Sequence, residues 1–486
     1  MQSAPATTDA APAPGTGAGA GGDRWARVLL FLALLAGLVR FWRLGEWSLW
    51  YDETATWFDL FGGVGGEEIH NPLGYRLIGS VVELCGGVPT PWNLRILPAL
   101  VGWLVVPATW LSFRGLAGER RAAAAALLVA CSSWHIHWSQ TARFYTLSQL
   151  CALVGGALLL RGYLAGRTWP VLAGAGLAAC AGLFHLSGVQ IVPALALVPW
   201  VLAPLGLPGL VRARRSALLL LVLLALGGLA AFPWVRLAWE TYLRHAPTPS
   251  SGHYLLTTGY YVTPVVASAC LLATWQAWRA RRVLDLVLVA TLLLVLGFML
   301  VASLRVQVSA QYVFVLWPWA ALLATAPLEA APAPGERRRE ALELGWIALL
   351  ALPLAANAAL YFGARHGERP QWHEAYQWVW NHREPDDLVL GMEACVGEFY
   401  LDPRKTDLRN AERIGWLDRW HTGLVREWGA HARRTWYVFN AEQLKGWEPA
   451  AREDFERFLR ERCRLAASFP LYVEARDLSV WVYVRG

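Results

Sequence analysis

Long apolar runs decide what this chain can fold into. They fall at Trp25–Trp42 and at 93–113, 121–138, 143–163, 168–186, 188–205, 216–235, 259–278, 283–303, 311–328 and 342–362. Each approaches the roughly 20 apolar residues a helix needs to cross a bilayer. No water satisfies the backbone inside hydrocarbon, so runs of this length close their hydrogen bonds internally, as helices. The eleven runs predict an all-α polytopic membrane protein. A hydrophobic content of 56% agrees, being well above that of soluble chains. The stretch 71–88 differs. It carries Arg76 and Glu83 and has an amphipathic pattern, which predicts a helix lying on the membrane surface.

The charges are one-sided. Net charge is +7, and Lys405 and Lys445 are the only lysines. With 71–88 on the surface, the clusters Arg114-Arg120-Arg121, Arg161-Arg167, Arg212-Arg214-Arg215, Arg279-Arg281-Arg282 and Arg337-Arg338-Arg339 share one side with the N-terminus. The positive-inside rule makes that side cytoplasmic; the membrane is expected to be the plasma (inner) membrane. Arginines placed between membrane runs are explained by topology, so nucleic acid is not implied as a partner. The other, extracytoplasmic side receives Asp52, Glu53, His70, the loop Trp138–Tyr145, the turn at His185 and the loops 236–259 and 305–311.

Residues 1–22 are rich in Ala, Pro, Gly and Thr and read as a disordered cytoplasmic tail without the pattern of a signal peptide. Residues 23–362 form the membrane module, and 363–486 read as a small extracytoplasmic α/β domain. Within it, helices are expected at Gln371–Arg383 and Asp454–Leu465, strands at Leu388–Leu390 and Trp436–Phe439, and a final hairpin from Leu471–Val473 and Leu478–Val484. The seven cysteines show no metal-ligand spacing; Cys395 and Cys463 share the polar region and could pair in an oxidising compartment.

Asp52-Glu53 is the most suggestive pair. Trp47, Trp50, Tyr51 and Trp57 flank it, and such aromatics favour the membrane boundary. A carboxylate there could meet a lipid-borne substrate and a water-borne one. Equally, the two acids could be solvated charges beside a helix end.

Several short segments resemble the GT-C membrane glycosyltransferases, in the branch holding protein O-mannosyltransferases and lipid A aminoarabinose transferases. They are Trp50-Tyr51-Asp52-Glu53, His70-x-Pro72-Leu73, Leu94-Arg95-x-x-Pro98-Ala99, Ser139-Gln140-x-Ala142-Arg143-x-Tyr145 and Tyr312. The resemblance implies transfer of a hexosyl or pentosyl group from a polyprenyl-phosphate carrier to an extracytoplasmic glycan, lipid or protein, with inversion. It implies Asp52 as general base. Glu53 would orient the acceptor, raise the Asp52 pKa by repulsion, or serve only as a helix N-terminal charge. His70 and Asn71 would contact substrate or, respectively, sit at the interface and cap the surface helix. Arg143 would hold the lipid phosphate, for which a guanidinium fork is suited, or snorkel to headgroups. Tyr145 and Tyr312 belong to the same motifs, and His185 falls where relatives place a histidine, as ligand or as structural residue.

Two departures are visible. Thr141 stands where the family often has an acid, and Gln311 precedes Tyr312 where an arginine is expected, leaving Arg305 as its substitute. A divalent cation near Asp52 has no further ligands in the pattern to specify it. Two rivals remain: a ligase or polymerase of lipid-linked glycans, and a transporter or flippase, although no repeated halves with broken mid-membrane helices are evident.

Overall fold

The structure is a computed structural model that describes residues 20–61, 72–245, 249–329, 336–404, 414–422, 432–474 and 476–486. Among them the chain is overwhelmingly helical. In order come α1 (Ala20–Gly37), α2 (Tyr51–Phe61), α3 (Pro72–Leu84), α4 (Pro91–Ala117), α5 (Glu119–Cys131), α6 (Ser133–Ser139), α7 (Tyr145–Ala165) and α8 (Thr168–Ala179). Then follow α9 (Ile191–Val201), α10 (Pro208–Ala230), α11 (Phe232–His245), α12 (Ser251–Val262), α13 (Pro264–Ala280), α14 (Val283–Ser303), α15 (Trp317–Ala324) and α16 (Glu336–Phe362).

Seven helical stretches among the described residues are long and apolar enough to cross a membrane: Pro91–Ala117, Tyr145–Ala165, Leu186–Leu205, Pro208–Ala230, Val283–Ser303, Ala310–Leu328 and Arg338–Phe362. Four of the eleven expected runs are not among these seven: Trp25–Trp42, where α1 ends at Gly37, 168–186, whose helical stretch Thr168–Leu183 is shorter, and two that are broken. The run 259–278 turns by 90° between α12 and α13. Pro264 causes this: it has no N–H to continue α12, and it opens α13 with Thr263 as N-cap in a left-handed backbone at φ 66°. The run 121–138 divides at Ser132, whose hydroxyl accepts from the His135 N–H and starts α6. Helix α3 has 13 residues, about 20 Å of helix, too short to span. Tyr75, Ile78 and Val82 bury one of its faces against α2 and α4.

Small residues and buried polar networks hold the bundle together, since lipid gives helices little hydrophobic reason to associate. Arg40 is wholly buried and donates to the carbonyls of Ala130 and Val129. It also meets His135 Nδ1 at 2.9 Å, and His135 Nε2 meets Gln149 Oε1 at 2.8 Å. Guanidinium only donates, so Nδ1 accepts and Nε2 carries the proton. Gln149 then donates to the Phe314 carbonyl. On the arginine-rich face Asp285 receives Arg121 at 2.7 Å and Arg282 at 3.1 Å.

After α16 the backbone turns sharply through His366, Gly367 and Glu368, all left-handed, at φ 48°, 63° and 56°. A side chain at Gly367 would lie 2.9 Å from the Trp47 ring, so glycine is required there on both counts. The polar region then forms α17 (Trp372–His382), β1 (Leu388–Gly391), α18 (Ala394–Leu401), β2 (Ile414–Trp416) and β3 (Thr435–Asn440). It ends with α19 (Ala441–Lys445), α20 (Pro449–Arg462), β4 (Arg464–Phe469), β5 (Tyr472–Val473), β6 (Arg476–Asp477) and β7 (Val480–Arg485). The five-stranded sheet runs β2-β1-β3-β7-β4, with β1, β2 and β3 parallel and β7 antiparallel to both its neighbours. The expected final hairpin does not form. Leu478 lies outside the strand, β5 pairs with β6, and β7 pairs with β3 and β4, burying Val480, Val482 and Val484. The last helix stops at Arg462, before Leu465, which lies in β4. Cys395 and Cys463 are both free thiols.

Helices α7 and α8 pack backbone to backbone. A Cβ on Gly174 would lie 2.4 Å from Leu159 N, and one on Gly155 2.3 Å from Ala178 N, whereas one on Gly176 would meet nothing within 4 Å. Gly174→Val is expected to cost about 1–3 kcal/mol, the usual penalty of overpacking. Gly176→Val should leave the melting temperature of the detergent-solubilised protein near that of the parent.

Candidate active site

Helix α2 carries the acidic pair in its first turn, where the two side chains diverge by about 100°. Their environments differ accordingly. Glu53 is fully buried. Arg95, projecting from α4, grips it with two parallel hydrogen bonds, Nε to Oε1 at 2.7 Å and Nη2 to Oε2 at 2.8 Å. The Ala142 N–H donates to Oε1 at 2.8 Å, and the Arg369 Nε lies 3.5 Å from Oε2. Burial pushes the Glu53 carboxyl up, but the charges of Arg95 and Arg369 and these hydrogen bonds outweigh it and hold the group below the ordinary carboxylate range. The remaining Arg95 donors go to the carbonyls of Leu44, Trp47 and Ser48. One guanidinium therefore fixes both the loop entering α2 and the helix itself.

Asp52 points elsewhere and is half-buried. Its carbonyl accepts from Arg143 Nη1 at 3.3 Å; the same nitrogen reaches Thr56 Oγ1 at 3.3 Å and the Tyr75 hydroxyl at 3.2 Å. Arg143 thus ties α2 to α3 and sits beside the acidic pair. Thr141, which stands where an acid is expected, accepts from Arg369 Nη2 at 2.8 Å. Gln140 is a staple: Trp47 and Tyr361 donate to its carbonyl oxygen, and its amide donates to the carbonyls of Arg40 and Trp42.

A row of rings leads away from Asp52. Trp50 and Trp138 lie 6.4 Å apart, Trp138 and Tyr145 4.3 Å, Tyr145 and His185 4.6 Å, His185 and Tyr312 5.8 Å. His185 Nδ1 accepts from the Ser187 N–H at 3.3 Å, so its neutral form carries the proton on Nε2. Gln190 donates to the Tyr312 carbonyl. The structure therefore joins Asp52, Glu53, Arg143, Tyr145, His185 and Tyr312 in one neighbourhood. Gln311 is half-buried beside Tyr312, while Arg305 is exposed on the loop after α14. His70 and Asn71 lie outside the described residues.

The sheet domain covers α2. Leu49 N–H donates to the Tyr400 hydroxyl at 3.0 Å, Trp57 Nε1 to the Pro403 carbonyl at 2.7 Å, and Thr54 Oγ1 meets Cys395 Sγ at 3.0 Å. Phe399 packs edge-on to Trp57 at 5.4 Å. Glu393, in a left-handed backbone at φ 50°, accepts from Gln443 Nε2 and from the Tyr51 backbone N–H, and so caps α2. Burial pushes the Glu393 carboxyl up to about 8; the hydrogen bonds from Gln443 and Tyr51 oppose the shift, and the charges of Asp418 and Asp52 add to it. Sequence reasoning ranked none of Arg95, Arg369, Glu393 and Tyr400 as site residues. Arg95 alone carried a signal, a charge inside an apolar run.

Among the described residues no three His, Cys, Asp or Glu side chains are grouped to hold an ion. Both Glu53 oxygens are already taken by Arg95.

No protein-family model matches the sequence, and no curated protein matches it. Solved structures do. The chain is similar to ArnT from Cupriavidus metallidurans in the apo state, with a TM-score of 0.54 at 14% identity over 96% of this chain and 98% of that one. ArnT bound to undecaprenyl phosphate gives 0.53 at 13% identity over 95% and 98%. The archaeal oligosaccharyltransferase AglB from Archaeoglobus fulgidus, in complex with an inhibitory peptide and a dolichol-phosphate, gives 0.53 at 12% identity over 87% and 70%. These neighbours are GT-C glycosyltransferases, and the chain is a polytopic membrane protein with the GT-C fold.

The Glu393 shift has a sign that can be tested. The unfolded chain releases this proton near the ordinary value of 4.5, the folded chain only near 8, so stability falls as pH rises between the two. Glu393→Gln removes that loss. Its melting temperature should match the parent near pH 5 and exceed it by pH 8; a smaller slope persists from Asp418, which burial also pushes up.

Proposed function

We propose that this chain is a membrane glycosyltransferase that moves a sugar from a polyprenyl-phosphate carrier to an acceptor hydroxyl, with Asp52 as general base. The observation that carries this reading is the division of labour in α2. Glu53 is buried with Arg95 on both oxygens, the Ala142 N–H on Oε1 and the Arg369 guanidinium beside Oε2, so we assign it to positioning. Asp52, one residue away, is half-buried, and its main-chain carbonyl accepts from Arg143, which also reaches Tyr75. The acceptor oxygen attacks the anomeric carbon as its proton passes to Asp52. The carbon–phosphate oxygen bond breaks, and polyprenyl phosphate leaves with the electron pair. That anion is stable, so no strong general acid is needed, unlike glycoside hydrolysis. A single displacement inverts the anomeric centre.

Arg143 is the cation nearest Asp52 among the residues singled out from the sequence, and we assign it the leaving phosphate together with its hold on the Asp52 main chain. Tyr145, His185 and Tyr312 would form a wall for the sugar and its first isoprene units, with Gln311 and Arg305 towards the phosphate. His70 and Asn71 are proposed on motif grounds as further contacts. The undecaprenyl phosphate and dolichol-phosphate of the two neighbours support a lipid-borne donor. The arginine-rich ends of the helices would face the cytoplasm, placing Asp52 and the sheet domain outside. A second reading, transfer of a preassembled glycan, is supported by the oligosaccharyltransferase scoring as well as ArnT. Product size separates the two.

Asp52→Asn keeps size and hydrogen bonding but removes the base. Turnover should fall about 10²–10⁴-fold with donor binding retained; near-normal turnover in a purified assay sinks the assignment. For orientation, a cysteine at 115–119 should be labelled only from the cytoplasm and one at the exposed position 460 only from outside, each in a background lacking the native thiols. Labelling from the reverse sides would invert the topology.

A further inference from the structure

We infer that the arginine-rich end of α8, α9 and α10 is a binding site for an acidic lipid headgroup carrying two phosphates, of the diphosphatidylglycerol kind. The lipid would come from whichever leaflet this end faces. The inference does not depend on Asp52 being the base.

Between Glu119 and Glu240 the sequence holds no aspartate or glutamate. Arg167, Arg212, Arg214 and Arg215 all fall in this stretch, and the fold brings them to one corner. Thr168 Oγ1 of α8 and Ser216 Oγ of α10 lie 2.9 Å apart. Each hydroxyl residue directly follows an arginine, Arg167 and Arg215, so this bond ties the arginine-bearing starts of the two helices together. Arg212 and Arg215, three residues apart, are neighbours on the surface of α10, and both are exposed. Arg214 lies over the ring of Trp200, in α9, at 5.9 Å. Among the described residues none of the four arginines is in an ion pair.

Their placement runs against the helix dipoles. A helix N-terminus carries partial positive charge, so cations are favoured at the opposite end. Here Arg167 is the N-cap of α8, the other three occupy the second turn of α10, and neither helix has an acid in its first turn. Four like charges beside two helix starts call for an anion. The level of the corner says which kind. Trp169 is 77% exposed and Trp200 is exposed, as side chains at the depth of lipid headgroups are. Next to the arginines, Leu218, Val222 and Leu226 form an exposed apolar stripe on α10, along which acyl chains can lie. Guanidinium forks match phosphate oxygens two at a time, so four of them suit two phosphates better than one. Basic pockets between membrane helices take headgroups of this type. The corner is also remote from the candidate active site. Helix α7 has 21 residues, about 30 Å of helix, with Tyr145 at one end and Arg167 just past the other.

The test titrates the full-length protein in detergent with tetraoleoyl cardiolipin, dioleoyl phosphatidylglycerol and dioleoyl phosphatidylcholine, and reads bound lipid by native mass spectrometry. Cardiolipin should bind about tenfold more tightly than phosphatidylglycerol, with phosphatidylcholine weaker still. Arg212→Gln/Arg215→Gln should weaken cardiolipin about 30-fold, the loss of two arginines at a charged membrane surface. Both positions are exposed and glutamine is a good helix former, so this variant keeps the fold. Arg279→Gln/Arg281→Gln removes the same charge at the end of α13, beside the ion pair of Arg282 with Asp285, and should leave cardiolipin affinity near that of the parent. Equal losses in the two double variants would reveal a diffuse basic surface and overturn the proposal. Cardiolipin binding no tighter than phosphatidylglycerol would overturn it too. Displacement of the lipid by millimolar inorganic pyrophosphate would point to a free diphosphate as ligand and defeat the lipid assignment.

Discussion

The ion pair between Arg95 and Glu53 is the constraint on which the rest depends. Both side chains are fully buried. Replacing such a pair by apolar residues is often harmless, but removing one partner strands a charge and costs about 3–5 kcal/mol. Set against a typical total stability of about 5–15 kcal/mol, that makes either residue decisive. The pair also gathers backbone. Arg95 collects three carbonyls from the loop before α2, and Glu53 collects the Ala142 N–H from the loop before α7. Two loops that carry the candidate chemistry are thereby fixed to α4.

That arrangement explains why neighbouring acids can have opposite fates. A helix cannot direct two consecutive side chains to one place, so Glu53 is spent on structure while Asp52 faces a different environment. The spent one is locked by strong charge-assisted bonds. The other inherits a rigid backbone, held at its own carbonyl by Arg143 and at the helix start by Glu393. Reactive geometry must be held within about half an ångström, a demand that a doubly anchored first turn is suited to meet.

Much of the architecture was legible because the bilayer imposes a length on every span. Long apolar runs such as 93–113 and 283–303 could hardly be read otherwise. The failures share a cause: local signals yielded to capping and tertiary pairing. Pro264 restarts a helix where hydropathy sees one run. Arg464–Phe469 joins a sheet although its start continues the pattern of the preceding helix. At the site, motif residues such as Arg143, Tyr145 and His185 were visible, and Asp52 stood out by its aromatic flanks. Arg369 and Glu393 were not, because their meaning arises only when a segment more than 300 residues away folds over α2. Glu53 was visible as an acid but not as a buried one, since burial of charge depends on a partner that sequence does not reveal.

The cover over α2 also sets an order of assembly. Helix α2 and its partner Arg95 are made early, but Arg369, Glu393 and Tyr400 come after the last membrane helix. As the chain leaves the ribosome, the helix bearing Asp52 thus waits uncapped through the synthesis of some 300 residues. Its first turn is completed only when the sheet domain emerges and docks. Chains that stop after α16 contain all seven long apolar stretches found among the described residues and yet lack the cap and the second arginine. The setting of α2 is thereby completed only by segments made after α16.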